Sequence, residues 1–271
     1  MMREALTNTP RRPSRWLGWF RVAGIATATA CLLFVAAINA VPALAQSMED
    51  VPVLGRIVEV LTFARFEASS DAQAYDVEIA VPHIQGLGDE GLQESLNEQY
   101  LAEAEARYEA FMAEVGALEE GELAHQALAA GYEVAVESEE MLVIRHWVLE
   151  VMASGAESVD YDTIDTQRGL VLTLPGLFRD DSYVETISAY LREEMERRTA
   201  PEEGIIYFLA GEDTQGFREI APDQEFYINA DHRLVIVFDE YEVAPGSMGV
   251  VEFEIPTELI ADALVGDEYI H

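Results

Sequence analysis

Five histidines stand in the chain, His83, His125, His146, His232 and His271, and none is spaced from another as a metal-binding pair such as His-Glu-x-x-His requires. Asp160-x-Asp162-x-x-Asp165 resembles the opening of a calcium loop, but the glycine and bidentate glutamate that complete an EF-hand do not follow. These acids read instead as solvated residues along a strand edge. Gly246-Ser247-Met248-Gly249 lacks the Gly-x-Ser-x-Gly order of a nucleophile elbow. With 51 acidic residues in 271, carboxylates fall near one another by chance, so no glycosidase-like pair can be singled out. The reading is a non-enzymatic chain with no cofactor and no metal site. The residues best suited to binding are Tyr241, Glu242, Pro245, Ser247 and Met248, in an irregular stretch between two strand-like runs. An aromatic, an acid, a proline and a thioether on a strand-supported loop are common in binding sites. The same stretch also reads as a structural crossover with Tyr241 and Pro245 packed inward.

The elements that must hold this loop are legible on both sides. Phe226-Tyr227-Ile228 and Leu234-Val235-Ile236-Val237-Phe238 are apolar, β-branched runs that suit strands covered on both faces. Asn229 and Asp231 suit the turn between them. After the loop, Val251, Phe253 and Ile255 alternate with Glu252 and Glu254, Pro256 ends the strand, and Thr257 caps a helix over 258–264. Upstream, 57–66 and 74–81 read as strands, the second stopped by Pro82. A helix over 90–115 then carries Leu92, Leu96, Tyr100, Ala104, Tyr108, Phe111 and Val115 on one stripe and glutamates opposite. Segments 132–137, 142–153 and 157–165 read as an antiparallel meander. Trp147 beside His146 suggests a glycan-stacking platform, but strand neighbours face opposite ways, which places Trp147 in the core. A strand over 169–174 leads to Asp180-Asp181-Ser182, a capping cluster for a helix over 183–198, and 205–209 fits strand or helix. The fold class is α+β: two interlocked subdomains, 46–165 and 166–271, built from antiparallel sheets, one long amphipathic helix and shorter helices.

Residues 1–21 contain five arginines and one acid, and 22–45 contain no charge. That stretch is long enough to cross a bilayer, and Pro42-Ala43-Leu44-Ala45 offers small residues where a signal peptidase reads. It reads as a cleaved signal peptide or a single anchor, with the rest of the chain extracytoplasmic in either case: secreted, periplasmic or membrane-anchored. Cys31, the only cysteine, lies inside it, so the remainder has no disulfide. Without residues 1–45 there remain 11 basic and 50 acidic residues, a net charge of −39, and the chain contains no lysine. Such a surface repels nucleic acid and anionic lipid and attracts cations or basic proteins. It also reads as the hydrated surface of a salt-adapted (halophilic) protein, the reading that the absence of lysine from the whole chain favours.

The order Phe226-Tyr227, turn, Leu234 to Phe238, Tyr241-Glu242, Pro245, Gly249, Phe253, Ile255-Pro256 resembles the C-terminal domain of the RsiV-like extracytoplasmic proteins. Leu174-Pro175-Gly176-Leu177-Phe178 is similar to that family's L-x-x-LF segment, and Pro82 to Leu87 followed by Leu96-Asn97 to its preceding subdomain. The family includes a membrane-tethered anti-sigma factor whose outer part is a lysozyme receptor, and the same module precedes the catalytic domain of PdaC-type peptidoglycan deacetylases. The resemblance implies recognition of a basic cell-wall hydrolase, such as a lysozyme, or of an envelope ligand. The 21 residues ahead of the apolar stretch are short for a sigma-binding segment, which directs the expectation to the outer domain. A peptidoglycan-associated accessory module and a carboxylate-dependent glycan hydrolase are the alternatives.

Overall fold

Val77, Ile79 and Val81 alternate with Asp76, Glu78 and Ala80, and this period of two gives a strand with one apolar face. In the computed structural model, which describes residues 58–70, 74–117, 125–151, 155–211 and 215–271, that strand is β2 (Tyr75–Gln85). Residues 1–45, expected to be a basic leader and a signal or anchor, lie outside the described residues. β2 pairs antiparallel with β1 (Glu59–Ser70). It runs through Pro82, contrary to the expected stop. The register shifts between Thr62 and Ala64, opposite Pro82, so the missing N–H falls at a bulge, where a proline is tolerated. The bulged Phe63 stacks on His83, ring centroids 5.0 Å apart.

The stripe on the next segment forms α1 (Glu90–Ala117), which buries Leu96, Tyr100, Ala104 and Val115. It carries the chain back across the sheet, so β3 (Gln126–Glu137) lies parallel to β2, pairing Tyr75–Ile79 with Gln126–Ala130. The sheet is therefore mixed, not antiparallel throughout, because a helical crossover returns the chain in its starting direction. β3 also begins earlier than expected, through the alanine-rich residues 126–130. β4 (Met141–Val151), β5 (Gly155–Asp165) and β6 (Leu170–Val171) complete six strands in the order β1-β2-β3-β4-β5-β6. Only two residues of the strand expected over 169–174 join the ladder, and Leu172 N–H extends it to the Thr163 carbonyl at 2.7 Å.

One face of this sheet, through Val77, Ile79, Leu128, Ala130, Leu142 and Ile144, packs against α1. From its other face Val136, Met141 and Val143 enter a second core. That core is built by α2 (Ser182–Arg198) and an antiparallel sheet of β7 (Phe226–Ile228), β8 (Leu234–Phe238) and β9 (Val251–Glu254), followed by the short α3 (Thr257–Ile260). Tyr183, Ile187, Leu191 and Met195 recur every fourth residue and are fully buried, each burial stabilising by roughly 1.5–3 kcal/mol. At the C-terminus of α2, Glu194 accepts hydrogen bonds from Arg197 and Arg198, and the Arg198 guanidinium lies 4.7 Å from the Phe253 ring centroid. The Arg197 bond, opposed by burial and helped by Arg198, holds the Glu194 carboxyl at about 2. The fold class is α+β, as expected.

Candidate binding surface

β6 covers only the end of β5, at Ile164 and Asp165, and the preceding part of that edge needs other partners for its N–H groups. Three carboxylates around the three-stranded sheet supply them. Glu225 Oε2 accepts the Tyr161 N–H at 3.0 Å, Asp239 Oδ1 the Val159 N–H at 2.8 Å, and Glu240 Oε2 the Glu157 N–H at 2.8 Å. The Glu240 N–H donates in turn to the Glu157 carbonyl. Tyr161 and Tyr227 stack at 4.6 Å, and each hydroxyl donates to a different oxygen of Glu252 at 3.0 Å. Both phenols are pushed up by burial and by the Glu252 charge. The loop after β8 is thus fixed at its root to the large sheet.

Burial, helped by the charges of Asp160, Asp162 and Asp239 and opposed by the Tyr161 N–H, pushes the Glu225 carboxyl up to about 7. A folded-state value above the ordinary one means that the proton-bound form is the stabilised one. The contribution is complete below the unfolded value and is lost as pH rises through 7. Asp239 and Glu242 are shifted upward too, mainly by burial. Glu225→Gln keeps an acceptor for Tyr161 without the charge. We expect it to raise stability at pH 8 by on the order of 1 kcal/mol after solvent screening, and by only a small fraction of that at pH 5. Urea unfolding midpoints at the two pH values test this, and an equal effect at both would remove Glu225 as the titrating group.

Beyond this root the loop turns outward. Tyr241 sits at φ 71°, a left-handed conformation costly for a bulky residue, and its side chain is 48% exposed. Its ring lies over Gly246, where any Cβ would collide with it, and its hydroxyl donates to the Gly155 carbonyl at 3.4 Å. Val243 and Ala244 are the inward anchors, not Tyr241 as the crossover reading has it; Pro245 is half-buried. Ser247 is exposed in a 3-10 turn over Gly246–Met248, closed by Gly249 at φ 65°. The Met248 sulfur accepts the Ile206 N–H at 3.3 Å. Glu242 turns back to the scaffold, accepting from the Asp239 N–H at 2.9 Å and from Gln224 at 3.2 Å. Tyr241, Pro245, Ser247 and Met248 therefore share the outer part of one loop, and Glu242 belongs to its root.

Two further residues flank this loop. Phe208 N–H donates to the Val243 carbonyl at 2.7 Å, and Ile206 and Phe208 are exposed apolar side chains. Their alternation with the inward Tyr207 was the available signal, hidden in a segment that fitted strand or helix equally. The acids of β5 also depart from expectation. Asp160 is exposed, but Asp162 accepts from the Tyr100 hydroxyl at 2.7 Å and lies 3.1 Å from His146 Nε2, and Asp165 is buried. Trp147 is half-buried and packs beside Val159, Val235 and Val237. Among the described residues no group of three or more His, Cys, Asp or Glu is placed to hold a metal ion, and no helix is long and apolar enough to cross a membrane.

Residues 176–258 match the family model described as a protein of unknown function, DUF3298. Two solved structures of that family share the fold. One, from Bacteroides fragilis, has a TM-score of 0.57 at 19% identity and covers 79% of this chain and 96% of its own. The other, from Pseudomonas aeruginosa PAO1, has a TM-score of 0.52 at 13% identity and covers 79% and 95%. The anti-sigma-V factor RsiV of Bacillus subtilis (strain 168) is 38% identical over 270 residues, 100% of this chain and 92% of that protein. With similarity at that level over its whole length, the chain belongs to the RsiV-like family.

Proposed function

We propose that this chain is an anti-sigma-factor-like, non-enzymatic protein whose described part works outside the membrane and recognises a basic cell-wall hydrolase of the lysozyme type. The supporting observation is the outer loop: Tyr241 held exposed at a costly backbone angle above Gly246, on a root tied to β5 by Asp239 and Glu240. A rigid, exposed aromatic loses little entropy on binding and suits the centre of a protein interface. Tyr241, Pro245, Ser247 and Met248, with Ile206 and Phe208 alongside, are the proposed contact surface. The strongly negative net charge of the chain attracts a basic partner. Residues 22–45 are the proposed signal or tether. The similarity to RsiV runs through residues 1–57 as well, which supports the anti-sigma-like reading despite the short leader.

Calorimetric titration of residues 46–271 with a lysozyme, at low and then high salt, is the test. One-to-one binding that survives high salt is expected, because shape and burial carry it. Tyr241→Ala and Gly246→Ala, the latter by displacing the Tyr241 ring, are expected to weaken it at least about tenfold, roughly 1.4 kcal/mol. Heat that vanishes with salt would reduce the interaction to nonspecific charge attraction and end the proposal.

A further inference from the structure

β2 and β3 pair over Tyr75–Ile79 and Gln126–Ala130 and then stop pairing, although both strands continue. β2 goes on beside β1 to Gln85, and β3 beside β4 to Glu137. The two parallel strands therefore part in the middle of the six-stranded sheet. Two clefts open on this fork, about 430 Å³ on the α1 side and about 370 Å³ on the other, and both are lined by Ala80, Ala130, Gly131 and Trp147. The second cleft reaches the other face of the sheet, because its Glu78 and Arg65 alternate with the α1-side residues Val77, Ile79, Ala64 and Phe66. Parting carboxyl ends of parallel strands are a recurrent place for ligands, and both volumes fall in the ~300–1,000 Å³ range of small-molecule sites.

The residues at the fork keep it open. Ala80, Ala130 and Gly131 have almost no side chain, and a Cβ at Gly131 would stand 2.7 Å from Trp147 Cζ2. The α1 side presents a polar network: Asp162 between the Tyr100 hydroxyl and His146, with the Tyr100 and His146 rings 4.8 Å apart. In the second cleft the Thr62 and Tyr132 hydroxyls meet at 2.8 Å, and Arg65 pairs with Glu78 at 2.6 Å. Asp160, Glu103 and Glu225 line the α1 side with Arg107, an excess of negative charge that repels anionic ligands. An indole for the apolar face of a sugar ring, and hydroxyl, imidazole and carboxylate groups for its hydroxyls, make a polyol-recognising set.

We propose that this fork binds a saccharide without negative charge, at a site separate from the outer loop. The probes are the trimer of β-1,4-linked N-acetylglucosamine, its cationic de-acetylated counterpart, and an anionic galacturonate trimer, each titrated into the purified full-length chain. Indole fluorescence and calorimetry are the readouts. Saturable binding of the neutral or cationic trimer and none of the anionic trimer is expected. Gly131→Val, which fills the fork, is expected to abolish binding. Because it also presses on Trp147, the milder His146→Ala and Tyr132→Phe provide second tests, each expected to weaken binding about three- to tenfold. Trp147→Phe removes the fluorescence response. Tyr241→Ala leaves saccharide affinity unchanged, which separates this site from the hydrolase surface. No saturable response to either trimer up to about 10 mM, or equal affinity after Gly131→Val and His146→Ala, overturns the proposal. So does a preference for the anionic trimer.

Discussion

Asp165→Ala lowers stability by roughly 2–3 kcal/mol, the scale of stranding hydrogen-bond donors around a buried carboxylate. Asp165 is 2% exposed at the end of β5. Its Oδ1 accepts the N–H groups of Gln167 and Arg168 at 2.9 and 2.7 Å, and its Oδ2 accepts the Arg168 guanidinium at 2.8 Å and the Tyr269 hydroxyl at 2.6 Å. One carboxylate thus shapes the turn into β6 and ties down the C-terminal tail. Arg168 also pairs with Glu268, and the Tyr269 carbonyl lies 3.2 Å from His232 Nδ1. Alanine leaves two backbone donors and a phenol without partners, and such groups are costly to strand. Burial works against the charged form, but the bonds from Tyr269, Arg168 and Gln167 outweigh it and hold the carboxyl below the usual range. A depressed folded-state value contributes stability above the ordinary carboxylate range, and this is lost as pH falls through the folded value. Asp165→Asn retains one acceptor oxygen, so it costs less than alanine and blunts the acid limb of the stability profile. Urea midpoints at pH 7 and pH 3, with hydrogen exchange over 267–271, check the expectation. A loss under about 1 kcal/mol for alanine would mean that water replaces these bonds.

What could be read in advance follows from how local each signal is. α1 announced itself because Leu96, Tyr100, Ala104 and Val115 lie at helical spacing, and β9 because Val251 and Phe253 alternate with Glu252 and Glu254. The parallel pairing of β2 with β3 was not legible, since it depends on where α1 delivers the chain and not on either strand's composition. Pro82 misled because a proline stop is a local rule, whereas the bulge that tolerates it lies on β1, 20 residues earlier at Thr62. The same limit applies to chemistry. His146 and Asp162 are 16 residues apart and meet only through the antiparallel register of β4 and β5, while Tyr100 arrives from the helix above. Motif spacing cannot express such a meeting. The outer loop was more legible, because Pro245, Gly246 and Gly249 exclude a regular ladder there. That Glu242 would fold back was not legible, because its partners are the Asp239 N–H and the distant Gln224.

Phe253→Ala is expected to cost about 3–5 kcal/mol and to expand the second core. Phe253 is fully buried in β9, between β8, α2 and the segment that carries Tyr207. Its ring lies 6.0 Å from Phe238 of β8 in an edge-on arrangement and 5.7 Å from Tyr207, with the Arg198 guanidinium of α2 on its other side at 4.7 Å. Deleting it removes the transfer energy of a large side chain, leaves a cavity, and takes the aromatic partner from an arginine already engaged with Glu194. The effect reaches the surface through Tyr207, which lies between the exposed Ile206 and Phe208. Phe253→Leu retains most of the volume but no π-face. The difference between leucine and alanine therefore reports packing, and the difference between wild type and leucine the ring-specific part, about 1 kcal/mol. If the second core carries the outer loop, the alanine variant also loses hydrogen-exchange protection at Ile206 and Phe208, whose N–H groups bond to Met248 and Val243. Loss of stability with unchanged protection there would separate the core from the loop and point to the β5 carboxylate root as what holds the loop.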